Sequence, residues 1–398
     1  MKKTLLFAVT GLMVAALGCS MDKNSSGSDN GPAGKNLPYG SGQKPVVEKP
    51  EASADLEDQV IQNVAFNVIL KTYKNLAGTA NALHRAAIQL AATPTQSNLE
   101  KAQQAWRDTR EPWESSESFL FGPVESLSVD PMIDTWPLNI LDMDAILKGS
   151  RNIDRSFIGS LGNNVQGFHT IEYLLFGNGA TSNVKTIDQM TQRELDYLVA
   201  TTDLVAAHAK RLSDAWEFNE NPDRPELLGY VVRVMNPGNK NNFYPSKTSV
   251  FAEYVNGMIG IADEVGNGKI ADPFGADIDH ADTTKVESPF SWNSITDFSN
   301  NIESIRAVFT GDYDNNDGKG IQDLVTAKNP ALAQKTLNQI DLAIQKINQI
   351  GVDKNGNQMA FRQAILDVEG RQRVQAAVDA LLVLKATLEN EVLRLVTQ

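Results

Sequence analysis

The chain holds a single cysteine, Cys19, which excludes an internal disulfide framework and any zinc knuckle built on thiolates. Histidine is almost as scarce: His84, His169, His208 and His280 are too few for a His-rich metal cage. Cations are short as well. The 36 Lys and Arg face 49 Asp and Glu, and a net charge of −13 argues against a surface that tracks phosphates, so nucleic acid is not an expected partner. Alternating β-branched runs bounded by turns are nearly absent, which leaves little room for a sheet. No apolar run long enough to span a bilayer follows Cys19. What is present is an ordinary globular composition, 41% hydrophobic and 21% charged over 398 residues, enough for one large domain or two of normal size.

The first residues read as an address. Lys2 and Lys3 precede an apolar stretch from Leu5 to Leu17, too short to cross a membrane. It ends in Ala16-Leu17-Gly18-Cys19, which resembles a bacterial lipobox. On that resemblance residues 1–18 are a signal peptide, and Cys19 is the lipidated N-terminus that anchors the mature protein in a membrane. Ser20, rather than aspartate, follows the lipidated position and points to the outer membrane. Residues 19–55 carry Asn24-Ser25-Ser26-Gly27-Ser28 and Pro32, Pro38, Pro45 and Pro50. Such a composition cannot bury a core and reads as a flexible tether.

From Leu56 the apolar spacing becomes helical. Leu56, Val60, Val64 and Val68 step by four, with Ile61, Ala65 and Ile69 beside them on the same face. A similar run covers Leu332 to Ile350, and another steps from Val374 through Val378, Leu381, Leu384, Leu388 and Val392 to Leu395. Two stretches interrupt the helical text: residues 217–247, around a short apolar helix near 226–235, and residues 266–291, rich in Gly, Asp, Pro and Ser. The expectation is an all-α protein of two helical bundles, residues 56–240 and 241–398.

Chemistry concentrates in Gly167-Phe168-His169-Thr170-Ile171-Glu172. His169 and Glu172 stand one helical turn apart, so they share a face and can share a ligand. An imidazole and a carboxylate suit Zn, Fe or Mn, but two groups do not close a metal shell. The zincin patterns His-Glu-x-x-His and His-x-x-Glu-His are absent, as is the Glu-x-x-His pair of carboxylate-bridged di-iron bundles. Upstream, Trp106, Arg110, Trp113 and Glu117 step by four, three and four, with Glu114 four residues after Arg110. Asp134 follows, in Asp-Thr-Trp-Pro-Leu. His84 and His208, among apolar residues, read as structural or surface groups, and His280 as solvated. Asp312 to Gly318 resembles a calcium loop, but the sixth position is Asp317 rather than Gly and the twelfth is Asp323 rather than Glu, so it reads as a polar turn.

Four stretches taken in order, Trp-x3-Arg-x2-Trp-Glu-x2-Glu, Asp-x-Trp-Pro-Leu, Gly-x-His-x-Ile-Glu-Tyr-Leu-Leu-Phe and Glu287-Ser288-Pro289-Phe290-Ser291-Trp292, resemble the imelysin-like family, peptidase family M75. The resemblance spans residues 57 to 398 and implies two helical bundles with a site near their junction. It also implies an exported, iron-regulated protein linked to iron uptake. On it, His169 and Glu172 are metal-site residues, with Glu114, Glu117 and Asp134 as further oxygen ligands or orienters of His169. Arg110 would hold those carboxylates ionised or bind an anionic ligand, and Ser288, Ser291 and Asp297 would close the site from the second domain. The implied cofactor is a divalent or ferric metal ion, iron favoured over zinc.

Three functions compete at this point. One is an envelope lipoprotein that binds iron, or an iron-bearing ligand, and works with a separate membrane component for transport. The second is an M75-type metallopeptidase, for which Glu172 would have to be both ligand and base. The third is a non-enzymatic module for a polysaccharide or anionic ligand, with Arg110, Trp136 and Trp292 lining a cleft.

Overall fold

The structure, a computed structural model, describes residues 55–218, 229–238, 241, 243–314 and 317–398. The signal, Cys19 and the tether up to residue 54 lie outside the described residues, as do residues 226–228 of the short helix expected near 226–235, which is seen as Tyr230–Met235.

Helices form where the apolar spacing places them, and local capping sets many of their ends. Leu56–Asn63 starts at Asp55, whose carboxylate accepts from Glu57 N at 2.8 Å, and passes through a π-helical segment, Val64–Leu70, into α1 (Lys71–Ala92). Thr95 caps α2 (Gln96–Glu114), which ends two residues beyond Pro112. Then come α3 (Phe168–Phe176) and α4 (Gln192–Glu217), the latter opened by a reciprocal Thr191–Glu194 capping box. In the second half of the chain α5 (Lys247–Asp263) continues into a π-helical segment, Glu264–Ile270. It is followed by α6 (Ser294–Thr310), α7 (Pro330–Ile350) and α8 (Val368–Thr387). The loop expected from residue 266 therefore begins later. Gly266 packs toward Leu381 on α8, so the helix is held past its glycines by the core behind it.

Packing falls into two sets. In the first, α1 lies against α2 and α4, and α3 bridges α2 and α4. In the second, α5 packs on α6 and α8, while α7 packs on α6 and α8. The sets touch where α2 meets α6 and where the Glu117–Phe119 turn meets α5. Gly257 on α5 permits that second contact, because a Cβ there would overlap the Ser118 carbonyl. One hydrophobic core runs through both sets, from Val60 and Trp106 to Phe309 and Leu384. Among the described residues the one extended pairing is a bridge between Val352 and Gln358, and no helix is long and apolar enough to cross a membrane. The fold is all-α, as the spacing predicts.

Candidate metal centre

The first set supplies a buried ladder of polar groups on helices that otherwise bury hydrocarbon. Burial of Thr109, Arg110 and Trp113 on the inner face of α2 carries Glu114 inward with them, one turn beyond Arg110. The Arg110 guanidinium is fully enclosed and each of its nitrogens faces a carboxylate. One terminal nitrogen pairs with Asp134 Oδ1 at 2.5 Å, the other with Glu114 Oε1 and, at 3.4 Å, Glu287 Oε1, while Nε lies 3.6 Å from Asp297 Oδ1. Its flat face stacks over Phe168, 5.1 Å from the ring centroid. No edge of Arg110 remains for an outside anion.

Asp134 sits at the end of a short helix, Val129–Ile133, and accepts from Trp113 Nε1 at 2.6 Å. Gly167 makes its approach to α3 possible. At φ 82° a side chain is strained, and a Cβ would stand 2.5 Å from the Ile133 carbonyl oxygen. The next turn presents His169. Its Nδ1 faces Glu172 Oε2 at 3.0 Å and its Nε2 lies 3.3 Å from Asp134 Oδ1, with the Trp136 ring beside it, 4.8 Å between centroids. Burial alone would keep His169 neutral, but the two flanking carboxylates outweigh it and raise the pKa to about 9. The flanking carboxylates therefore favour the protonated ring.

The second set closes the site. Glu172 Oε1 accepts from Phe290 N at 3.0 Å, from Ser291 N at 2.7 Å and from Ser291 Oγ at 2.7 Å. Asn293 donates to Asp297 at 2.8 Å, and Asn301 on α6 donates to Glu114 Oε2 at 2.6 Å. Ser288, at φ 47°, is buried in the turn between Glu287 and Ser291. Lys269, on the π-helical segment, reaches Glu287 at 3.3 Å, Glu114 at 3.5 Å and Glu117 at 3.7 Å.

Charge does not balance here. Among the described residues, the carboxylates of Glu114, Glu117, Asp134, Glu172, Glu287 and Asp297 have Arg110, His169 and Lys269 as their ion-paired cations, and Arg107 adds a more distant positive charge toward Glu172 and Asp297. Burial pushes Glu114 up to about 6 even though Arg110 and Lys269 pull it down, and burial raises Glu117, Glu287 and Asp297 as well. Asp134 goes the other way: burial opposes its ionisation, but the Arg110 and His169 charges hold it well below the usual carboxylate range.

Of the residues predicted from sequence, His169, Glu172, Glu114, Asp134, Arg110, Ser291 and Asp297 meet in this network. Glu117 lies at its edge, paired with Lys269 and outside the tightest acidic group, whose oxygens, from Glu114, Asp134 and Glu287, all fall within 4.8 Å of one another. Glu287 and Lys269 join the site without having been predicted for it. Glu287 opens the Glu-Ser-Pro-Phe-Ser-Trp stretch and is visible there as a motif letter, whereas Lys269 stands in a glycine-rich run with no chemical signature. The remaining histidines behave as expected: His84 is half-buried against Thr202, His208 is half-buried, and His280 is exposed beside Asp277. In the Asp312 loop, Asp312 accepts from Gly318 N at 3.2 Å, a turn contact.

The imelysin family model matches residues 69–388. Iron-regulated protein A of Synechococcus elongatus is 28% identical over 347 residues, covering 87% of this chain and 88% of its own length. The crystal structure of a protein named as an iron-regulated protein A precursor, from Parabacteroides distasonis, superposes with a TM-score of 0.75 at 28% identity, over 91% of this chain and 99% of that one. An imelysin-like protein from Psychrobacter arcticum superposes with a TM-score of 0.63 at 13% identity, over 86% and 95%, and shares the fold.

Proposed function

Because the chain belongs to the imelysin family, we propose that it is a non-enzymatic cell-envelope protein that binds iron in the buried network around Arg110. The observation that carries this reading is the excess of acid: six enclosed carboxylates share three ion-paired cations among the described residues, with Arg107 a more distant fourth, and three of the acids converge within 4.8 Å. Uncompensated buried charge is costly, and a multivalent ion is the simplest group that supplies what is missing. The donor set fits. Glu114, Asp134 and Glu287 offer hard oxygens suited to iron, and Glu287 Oε2 is buried with no hydrogen-bond partner among the described residues. His169 would join them on giving up a proton, so ion binding would release acid. Iron held here would be neutralised by the carboxylates; the chain's own groups orient one another and exclude water. The name of the Synechococcus relative, an iron-regulated protein, agrees with this reading.

Hydrolysis is less well supported. Glu172, the only acid on α3, spends both oxygens on protein partners, three donors on one and His169 on the other, which leaves no lone pair positioned to activate water. In the proposed role Cys19 carries the lipid, residues 19–55 span the distance from the outer membrane, and a separate membrane component receives the iron.

The test is metal content and affinity of the purified chain. Wild type should take up iron in preference to zinc, Glu287→Gln should weaken binding strongly, and the His169→Ala, Glu172→Ala pair should weaken it further. Iron content unchanged in all of these variants would sink the proposal.

A further inference from the structure

In front of the network lies a pocket of about 390 Å³. Its acids are Glu117, Asp130, Asp134, Glu264, Asp272 and Glu287, and its two lysines are Lys269 and Lys285. Trp136 lines one wall. Two triad members, Asp134 and Glu287, line this pocket, and the unpartnered Glu287 Oε2 belongs to one of them, so pocket and triad share these two carboxylates.

Besides His169, which reaches Asp134, two cations face the triad, Arg110 and Lys269, and they are held differently. Arg110 has no exposure and is paired with carboxylates from four places in the chain. Nothing short of unfolding would move it. Lys269 keeps 12% of its side chain exposed, lines the pocket, and makes three contacts of 3.3, 3.5 and 3.7 Å, all longer than a tight ammonium–carboxylate bond. It is also a flexible stem ending in a point charge, unlike the rigid guanidinium fork. Of its three partners, Glu114 and Glu287 are two members of the triad.

We propose that Lys269 is a displaceable counter-cation: its ammonium holds the place of the bound metal, and a cation arriving through the acidic pocket takes over Glu114 and Glu287 as Lys269 swings outward. This rests on the reading of the network as a metal site. It gives the site a built-in preference for ions of higher charge, because a monovalent cation gains little by exchanging with an ammonium of equal charge. It also keeps the empty site folded, since Lys269 neutralises acids that would otherwise repel. Lys285 differs. It pairs with the exposed Asp272 at 2.7 Å on the rim and touches no triad member.

Terbium(III), a hard trivalent ion, is a suitable probe, because Trp136 on the pocket wall can sensitise its emission. Its dissociation constant would be measured for the purified chain and for Lys269→Met, Lys285→Met and Glu287→Gln, with a thermal melt of each in the presence and absence of the ion. Lys269→Met should bind about tenfold tighter or more, as expected when a unit charge a few ångströms from the ion is removed. Lys285→Met, an equal charge change on an exposed rim, should shift affinity by less than about threefold. Lys269→Met should melt lower than wild type without the ion and recover most of the difference with it. Equal effects from both lysine variants would overturn the proposal in favour of general electrostatics, and unchanged affinity in Lys269→Met would overturn it while leaving the metal reading intact. Failure of the wild type and every variant to bind terbium or iron would overturn both. Should Lys269→Met not fold, Lys269→Gln, which keeps a donor toward the acids, is judged by the same ratio.

Discussion

Glu172 and Ser291, 119 residues apart in the chain, are joined by two 2.7 Å hydrogen bonds from the serine's amide and hydroxyl to one carboxylate oxygen. The other oxygen faces His169. A single side chain thus fixes the turn before α6 against α3 and orients the imidazole. Removing it should be far worse than removing its partner. Glu172→Ala strips two buried amides and an imidazolium of their acceptor, and should cost about 3–5 kcal/mol. Ser291→Ala loses one hydroxyl bond to a charged group and should cost about 1.5–3 kcal/mol. Urea unfolding of the two variants checks the order; equal losses would mean the turn is held by something else.

Two glycines should respond in opposite directions to the same substitution. At Gly167 the positive φ and the nearby Ile133 carbonyl leave no room for a methyl group, so Gly167→Ala should push Asp134 away from His169 and destabilise by more than about 1 kcal/mol. Gly78, inside α1 with nothing within 4 Å of its would-be Cβ, should accept alanine with a gain of about 0.5–1 kcal/mol. Thermal melts of both variants, together with metal affinity of Gly167→Ala, decide the point.

How far these features are legible in the sequence differs from residue to residue. The helical runs at Leu332–Ile350 and Val374–Leu395 can be read because an apolar stripe at a 3.6-residue period matches one face of a helix and no strand. His169 with Glu172 is legible for the same reason, as two polar letters on an apolar helix. Glu114 and Arg110 are visible as a spacing of four, but an exposed ion pair has that spacing too, and nothing in the sequence says that the pair is buried. Lys269 is not legible at all. Its role depends on α5 continuing past Gly266 and Gly268 through a π-helical segment, and that continuation is set by packing against α8 rather than by local propensity.

The proposed anchor gives a prediction that is independent of the site. If Cys19 carries the lipid, Cys19→Ser should move the protein from the membrane fraction to the soluble one. The melting temperature should not change, because the tether composition contributes nothing to the core formed from Val60 onward. Retention of Cys19→Ser in the membrane fraction would contradict the lipoprotein reading.

Asp130 offers a test of the pocket's electrostatics at a residue outside the triad. Burial, followed by the negative charges of Asp134 and Glu264, raises its pKa from 3.8 to about 6. The folded chain therefore keeps this proton up to about pH 6, whereas the unfolded chain gives it up near 3.8. Between those values the folded state binds more protons, so the contribution of Asp130 to stability falls as pH rises, and the penalty is full above pH 6. Asparagine cannot ionise and escapes the penalty while keeping the shape. Asp130→Asn should thus match wild type below about pH 4 and exceed it at pH 7 to 8 by on the order of 1–2 kcal/mol, less than the shift alone would give because part of the side chain meets water. Melting temperatures across that range, measured without added metal, are the check. A variant less stable than wild type at pH 7.5 would mean that the Asp130 carboxylate is held ionised by a partner, and that the pocket is less negative than its lining implies.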